Sequence, residues 1–384
     1  MTFEDKYINY SIKSKKELYQ TLFLFYIISN RPIVIIGKKL LELALILRLP
    51  ILGIVKKTIF KHFCGGENII ESKRTIQQLG ENNIKTILDY SVEGENDLNF
   101  IEKTYKEIIN NLQEAKSNPL LPFCVFKITG LAPFYLLKKL NHDDPLSTNE
   151  INCLQNLKTK LNQICKTAQH CNTPILIDAE ESWIQNSIDK LTESLMQKYN
   201  KDTILVYNTV QLYRHDKLEY IYKLHDQSKK YNYKLGFKLV RGAYMEKEES
   251  RSKRKNYSSL IHKSKQACDN DFNSAVEYCI KNIHDINMCI GTHNESSTKY
   301  AIQLMLQHKI KCNDSRIYFS QLLGMSDNIS YHLAKLNYNV AKYVPYGPVK
   351  KVLPYLIRRA EENSAITAQT KQEIQRIRIA LKNN

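Results

Sequence analysis

Past Pro119 the chain changes texture: short apolar runs begin to alternate with helix-length polar-amphipathic stretches. The runs are PFCVFKITG (122–130), PILIDAE (174–180), TILVYNTVQLY (203–213), KLGFKLVRGAY (234–244), INMCIGTHN (286–294), RIYFSQLLGM (316–325) and NVAKYVPYG (339–347). Strands that alternate with helices pair in parallel and are covered on both faces. A doubly wound sheet of seven strands should carry a Gly-rich dinucleotide turn after its first strand, and no GxGxxG occurs. A closed barrel needs an eighth strand. IKTILDY, from about Asn83 to Tyr90, supplies one, or the weak interval between the first two runs hides it. The expected fold class is α/β, a (βα)8 TIM-like barrel with an N-terminal helical region.

The front of the chain reads as helices over 16–29, 32–47, 52–63, 72–79 and 99–115. We therefore expect a helical region over 1–115 and the barrel, with a C-terminal substrate-binding helix, over 116–384. The most apolar stretch, Leu40 to Val55, is interrupted by Glu42, Arg48 and Pro50 and is too short to span a bilayer. It reads as a helical hairpin buried against the rest of the chain, the favoured reading. With Lys38, Lys39, Lys56 and Lys57 at its ends, the other reading is an element lying on a membrane surface.

The apolar runs end in polar groups: Lys127; Asp178 and Glu180; Gln211 and Tyr213; Arg241 and Tyr244; Thr292, His293 and Asn294; Gln321. In a barrel these ends form one rim, and that rim carries the site. Basic groups dominate it, so the expected ligand has anionic parts. Asp178 either answers Lys127 or Arg241 as an ion pair or, like Glu180, serves to cap and orient its loop. Near the C-terminus, YVPYGPVKKVLPYLIRRAEEN (343–363) reads as a strand end, a Pro-Gly punctuation and a helix. Arg358 and Arg359 are either a solvated helix end or a clamp for carboxylate or phosphate, with Glu362 spaced to orient one of them. Pro354 should bend this helix or leave a carbonyl without its donor.

Net charge is +17, from 56 basic and 39 acidic residues, a field that attracts nucleic acid or an anionic membrane without establishing either. Nine cysteines without a CxxC pair favour a reducing compartment and no zinc ribbon. Glu4 and Asp5 are unlike a secretory or transit leader. There is no GxSxG, HExxH, P-loop or zinc-deaminase signature and no metal spacing, which shifts weight to a cofactor enzyme or simple acid–base chemistry.

GFKLVRGAYMEKE (236–248), GTHN (291–294) and YVPYGPV…LPYLIRRAEEN (343–363) closely resemble the proline dehydrogenases, flavin enzymes on a (βα)8 barrel. FCGGE (63–67), DAEE (178–181), NTVQLYRHD (208–216) and QLLGM (321–325) agree in the same order, so the resemblance runs from about residue 55 to 365. The long front and the end at 384 resemble the single-function, mitochondrial-type branch, without a fused aldehyde dehydrogenase module. The resemblance implies oxidation of L-proline to Δ1-pyrroline-5-carboxylate with FAD as hydride acceptor and a membrane quinone as final acceptor. It implies a cytoplasmic protein, peripheral on the inner membrane, or a mitochondrial one in a eukaryotic host.

By the same resemblance, Arg358 and Arg359 hold the proline carboxylate, with Lys127 beside it and Asp178 linked to that cluster. Tyr343, Tyr244 and Leu239 pack about the ring, and Glu362 positions an arginine or cofactor group. Lys238 and Arg241 lie near the flavin and its phosphates, Gln211 reaches the isoalloxazine pyrimidine edge, and Thr292, His293 and Asn294 follow the pyrophosphate and ribityl chain. The bifunctional bacterial form has arginine in place of Lys238 and tryptophan in place of Met245, so both cofactor contacts differ here. Tyr343 favours proline over 4-hydroxyproline, the alternative substrate. A basic nucleic-acid-binding scaffold is the remote alternative, and no nucleic-acid partner is expected.

Overall fold

A computed structural model describes residues 14–92, 98–365 and 367–383; the side chains of residues 42, 364–372 and 383 lie outside the description. Eight strands close in sequence order into a parallel barrel: β1 (Lys85–Tyr90), β2 (Phe123–Lys127), β3 (Ile175–Asp178), β4 (Val206–Gln211), β5 (Leu235–Val240), β6 (Ile286–Gly291), β7 (Ile317–Leu322) and β8 (Val340–Tyr346). Closure is made by β1 against β8, in register from Lys85↔Ala341 to Tyr90↔Tyr346. IKTILDY is thus the eighth strand.

The helical front comprises α1 (Lys15–Ile28), α2 (Arg31–Ile46), α3 (Leu52–Val55), α4 (Lys61–Phe63) and α5 (Ile69–Gly80), with a π-helical turn at Lys56–Phe60 between α3 and α4. Around the barrel run α6 (Leu98–Ser117), α7 (Phe134–Asn141), α8 (Thr148–Cys171), α9 (Ser182–Tyr199), α10 (Lys217–Lys230), α11 (Met245–Lys255), α12 (Lys265–Lys281), α13 (Glu295–Gln307) and α14 (Asp327–Lys335). Two more, α15 (Val349–Ala365) and α16 (Thr367–Asn383), follow β8. The helical front expected over 1–115 therefore contains β1 and most of α6. The first strand escapes a composition boundary because the change of texture at Pro119 comes one βα unit late.

Packing divides the molecule in two. One core fills the space between barrel and surrounding helices, including Leu88, Phe126, Ile177, Phe237, Ile290 and Val344. A second lies between the front helices and α15–α16, where Leu18, Phe25, Phe63, Val352, Leu356 and Ile377 meet. The favoured reading of Leu40 to Val55 as a buried hairpin does not hold for α2. Val34, Lys38, Leu41 and Leu45, stepped by four, three and four, form its inner stripe, while Ile36, Leu40, Leu43 and Leu47 are exposed. Among the described residues no single helix is long and apolar enough to cross a membrane; α1 and α2 together meet the criterion but bend by 92°.

Candidate active site

Successive side chains of a strand alternate between the barrel interior and the helix-facing side. At the N-terminal ends the interior is plugged by aromatic rings: Phe123 lies edge-on to Tyr207 at 5.4 Å and to Tyr318 at 5.0 Å. Continuing along the same parity, toward the strands' C-terminal ends, come Asp89, Lys127, Asp178, Thr209, Gln211, Lys238 and Tyr343. The parity excludes Leu239, which belongs to the core between barrel and helices, not to the interior, and does not pack on a ligand there.

Asp178 is the hub of the interior group. Its Oδ1 accepts from Lys238 Nζ at 2.6 Å and from Thr209 Oγ1 at 3.2 Å, and its Oδ2 accepts from the Tyr343 hydroxyl at 2.8 Å. The expected pairing of Asp178 with Lys127 or Arg241 is replaced by Lys238, which register places beside Thr209 on the neighbouring strand. The Lys238 ammonium also lies 4.5 Å from the centre of the Tyr343 ring. Burial and the Asp178 charge hold the Tyr343 phenol well above its usual range, so it is a donor.

Lys127, in register with Asp178, faces two more buried acids. Burial raises Asp89, with Lys127 opposing and Asp178 reinforcing the shift, and Ser91 donates to its carboxyl. Glu180 accepts from the backbone N–H and hydroxyl of Thr129 at 3.1 and 2.5 Å. Burial pushes it up to about 7 against the pull of Lys127.

The arginine pair stands on α15, the helix that follows β8. Arg359 is 5% exposed, which removes the solvated-end reading for it. One Nη donates to Glu362, and the guanidinium lies 5.1 Å from the Tyr355 ring centre. Its buried Nε–H has no partner among the described residues. Arg358 lies 6.0 Å from the Tyr244 ring centre. Burial raises Glu362, with both arginines opposing. Pro354 is accommodated within the helix, where it offers no N–H to the carbonyl one turn earlier.

The FCGGE stretch explains how α15 leaves the barrel. Gly65 N–H donates to the Pro345 carbonyl at 2.8 Å, Gly347 N–H to the Gly66 carbonyl at 3.1 Å, and Val349 N–H to Glu67 at 3.2 Å. A Cβ on Gly65 would stand 2.7 Å from Val344 Cγ1, and one on Gly66 2.5 Å from Glu71 Cβ, so close approach excludes side chains there. Gly347, at φ +143°, makes the turn into α15. Glu67 therefore works as a carboxylate cap on the helix that carries the arginines.

A third group lies past β4, β5 and β6. Arg241 donates to Asp269 at 2.8 Å, to Thr292 Oγ1 at 2.7 Å and to Ser297 Oγ at 2.9 Å. Asn294 caps α13, accepting from the N–H groups of Ser296 and Ser297 at 2.9 and 3.2 Å. His293 Nδ1 meets Ser326 Oγ at 3.0 Å. Burial, with Lys342, Arg359 and Arg241 around it, pushes His293 down to about 3, so the imidazole is neutral. Gln211 ends β4 with its buried side-chain oxygen unpaired among the described residues. An arginine at a helix N-terminus beside an orphaned amide acceptor fits a phosphate-bearing cofactor whose ring presents a donor. Of the residues expected on the cofactor side, Lys238 alone stands with the Asp178 group instead.

A family model described as proline dehydrogenase matches residues 72–372. Proline dehydrogenase 1, mitochondrial, of Dictyostelium discoideum is 33% identical, over 92% of this chain and 70% of that protein. Its Arabidopsis thaliana namesake is 31% identical, over 91% and 78%. The chain belongs to the proline dehydrogenase family. Among solved structures, proline utilization A from Bdellovibrio bacteriovorus superposes with a TM-score of 0.72 at 16% identity, a likeness of fold that covers 91% of this chain and 37% of that one.

Three groups that the fold brings to the barrel interior or to the start of α15 are not marked by the sequence. Asp89 carries the same strand-end signal as the other strands, but IKTILDY is only one of two places where the sequence allows the eighth strand, so its acid does not stand out. Thr209 was hidden inside an apolar run, where parity alone identifies it as interior. Glu67 lay in a matching string with no chemistry attached, because its partner Val349 N–H is nearly three hundred residues away.

Proposed function

We propose that this chain oxidises L-proline to Δ1-pyrroline-5-carboxylate with FAD, passing electrons on to a membrane quinone. The observation that supports the reading is Arg359 of the tandem pair, buried, bonded to Glu362 and with its Nε–H unpartnered among the described residues. Arg358 and Arg359 supply paired charge-assisted donors for the substrate carboxylate, with Lys127 flanking it. Glu362 and Tyr355 keep the Arg359 fork in one plane. Tyr343 and Tyr244 wall the ring, and Asp178 fixes both the Tyr343 hydroxyl and the Lys238 ammonium. The reacting amine has to be neutral, and a site so rich in cations disfavours the ammonium form, leaving its proton to solvent on entry.

Gln211, Arg241, Thr292, His293 and Asn294 would hold the FAD, with Gln211 accepting from its ring and Arg241 facing its phosphates. When bound, FAD would supply the hydride acceptor for oxidation at C5 of the substrate. The residues named here orient and neutralise charge, so catalysis is chiefly positioning. The test is an anaerobic visible spectrum of FAD-supplied protein. L-proline should bleach the flavin band, and 4-hydroxyproline should do so less, because the Tyr343 ring crowds a C4 hydroxyl. A flavin that keeps its colour with L-proline overturns the reading; a stronger response to 4-hydroxyproline assigns that substrate instead. A colourless protein whose RNA affinity falls steeply with salt would move the function to nucleic-acid binding.

A further inference from the structure

Where β3 and β5 hand over to their helices, two rim segments are fastened to each other across the end of β4. Glu181, Ser182 and Trp183 lead into α9, and Lys247, Glu248 and Arg251 of α11 meet them residue by residue. The Ser182 N–H donates to one oxygen of the Glu248 carboxylate and the Ser182 hydroxyl to the other, both at 2.7 Å. Lys247 Nζ donates to Glu181 at 2.7 Å, and the Arg251 guanidinium lies 4.4 Å from the centre of the Trp183 ring. Tyr213, just past β4, packs on the same segment: a Cβ on Gly242, at φ +138°, would stand 2.5 Å from its ring. Burial and the Glu248 charge push the Tyr213 phenol up.

Glu248 stands out by its burial: it is 2% exposed and forms no ion pair among the described residues. What holds its charge is the start of α9. The Glu181 side chain does not cap that helix, so the Ser182 N–H is one of the donors an α-helix leaves open, and the positive end of the helix favours the carboxylate. For stability alone, an apolar contact would serve this seam as well as a buried carboxylate does. Two hydrogen bonds from one residue add direction, because they fix both the height and the rotation of α11 against α9. One turn back, the Glu248 N–H donates to the Tyr244 carbonyl at 2.9 Å, so Tyr244 is the residue from which α11 starts. Its ring centre lies 5.3 Å from Lys247 Nζ and 6.0 Å from the Arg358 guanidinium.

We propose that Glu248 is a positioning residue: by capping α9 from α11 it fixes Tyr244, and with it the width of the pocket for the substrate ring. The proposal rests on the reading of Tyr244 as a wall of that ring. A wall on an unbraced segment retreats before a larger ring; a wall tied to α9 stays in place. The brace therefore selects a five-membered ring over a six-membered one. Glu248 touches neither substrate nor cofactor in this role and acts through Ser182 and Tyr244.

The experiment compares full-length, FAD-supplied wild type with Glu248→Ala, Glu248→Gln and Ser182→Ala. Trp183 is the chain's single tryptophan, so acrylamide quenching of its fluorescence reads the seam without any turnover. Kinetics with a soluble electron-accepting dye, on L-proline and on its six-membered homologue piperidine-2-carboxylate, read the pocket. Glu248→Ala should increase the quenching and raise KM for L-proline by about tenfold, with kcat changed by no more than about twofold. Its preference for proline over the homologue, in kcat/KM, should narrow by about tenfold, the low end of what one methylene is worth in a pocket. Glu248→Gln keeps an acceptor for the Ser182 N–H and should recover most of both effects; Ser182→Ala, which keeps the N–H, should fall between. If the alanine variant at 248 does not fold, these two decide by the same readouts. A lowered Tm with unchanged KM and ring preference makes Glu248 a scaffold group and overturns the proposal. So does unchanged quenching, or a glutamine variant no better than the alanine one. A wild type that cannot oxidise L-proline strikes the proposed activity and the pocket with it; a wild type that does, beside variants that match it, strikes the brace alone.

Discussion

The two halves of the site are held by different means. Asp178, Lys238, Thr209 and Tyr343 stand on neighbouring strands of a closed ladder, where register fixes their mutual distances. Arg358 and Arg359 stand on a helix that leaves β8 at the Gly347 turn and is held by a carboxylate cap, ion pairs and a separate apolar core. A barrel floor is expensive to deform because neighbouring strands share every backbone hydrogen bond. A capped helix pivots at the cost of a few side-chain contacts. On the proposed function, this gives the floor a preorganised polarity and leaves the grip on the substrate to the helix.

The contrast can be broken most severely at the floor. Asp178→Ala leaves the Lys238 ammonium buried beside Tyr343 without its carboxylate, and removing one member of a buried pair costs about 3–5 kcal/mol. Thermal unfolding should show that loss across the whole barrel; an unchanged Tm would mean that Lys238 finds another partner. On the helix, Arg359→Met should lower kcat/KM for proline by about 2–5 kcal/mol of transition-state binding, with flavin content retained. Equal activity would remove the clamp.

His293 sharpens the comparison through pH. Its folded value, about 3, lies below the unfolded 6.5, so the unfolded chain binds the extra proton. The neutral ring's contribution is full above 6.5 and is lost as pH falls from there toward 3, at about 1.4 kcal/mol per pH unit. His293→Asn should flatten that part of the stability–pH curve, measured by urea unfolding. The smallest effect belongs to the clasp. Glu67→Gln removes the charged cap of α15 and should cost about 1 kcal/mol, read as a raised KM for proline with the barrel's unfolding little changed. An equal loss in Tm and none in KM would make Glu67 a scaffold residue only.

The sequence by itself determined the barrel, since short continuous apolar runs separated by helix-length segments, with no dinucleotide turn, leave few alternatives, and it placed most polar rim residues at strand ends. It also marked the arginine pair. It did not determine who pairs with whom: Asp178 takes Lys238 instead of Lys127 or Arg241, Leu239 turns outward, and Asp89 and Thr209 enter the interior. Those outcomes depend on register and on which parity faces the axis, properties of strands only after they are laid side by side. Nor could it decide that α2 buries one apolar stripe and exposes the other, because both have helical spacing. Only the packing of α15 against one of them makes the distinction, since burial is a relation between segments and composition belongs to each segment alone.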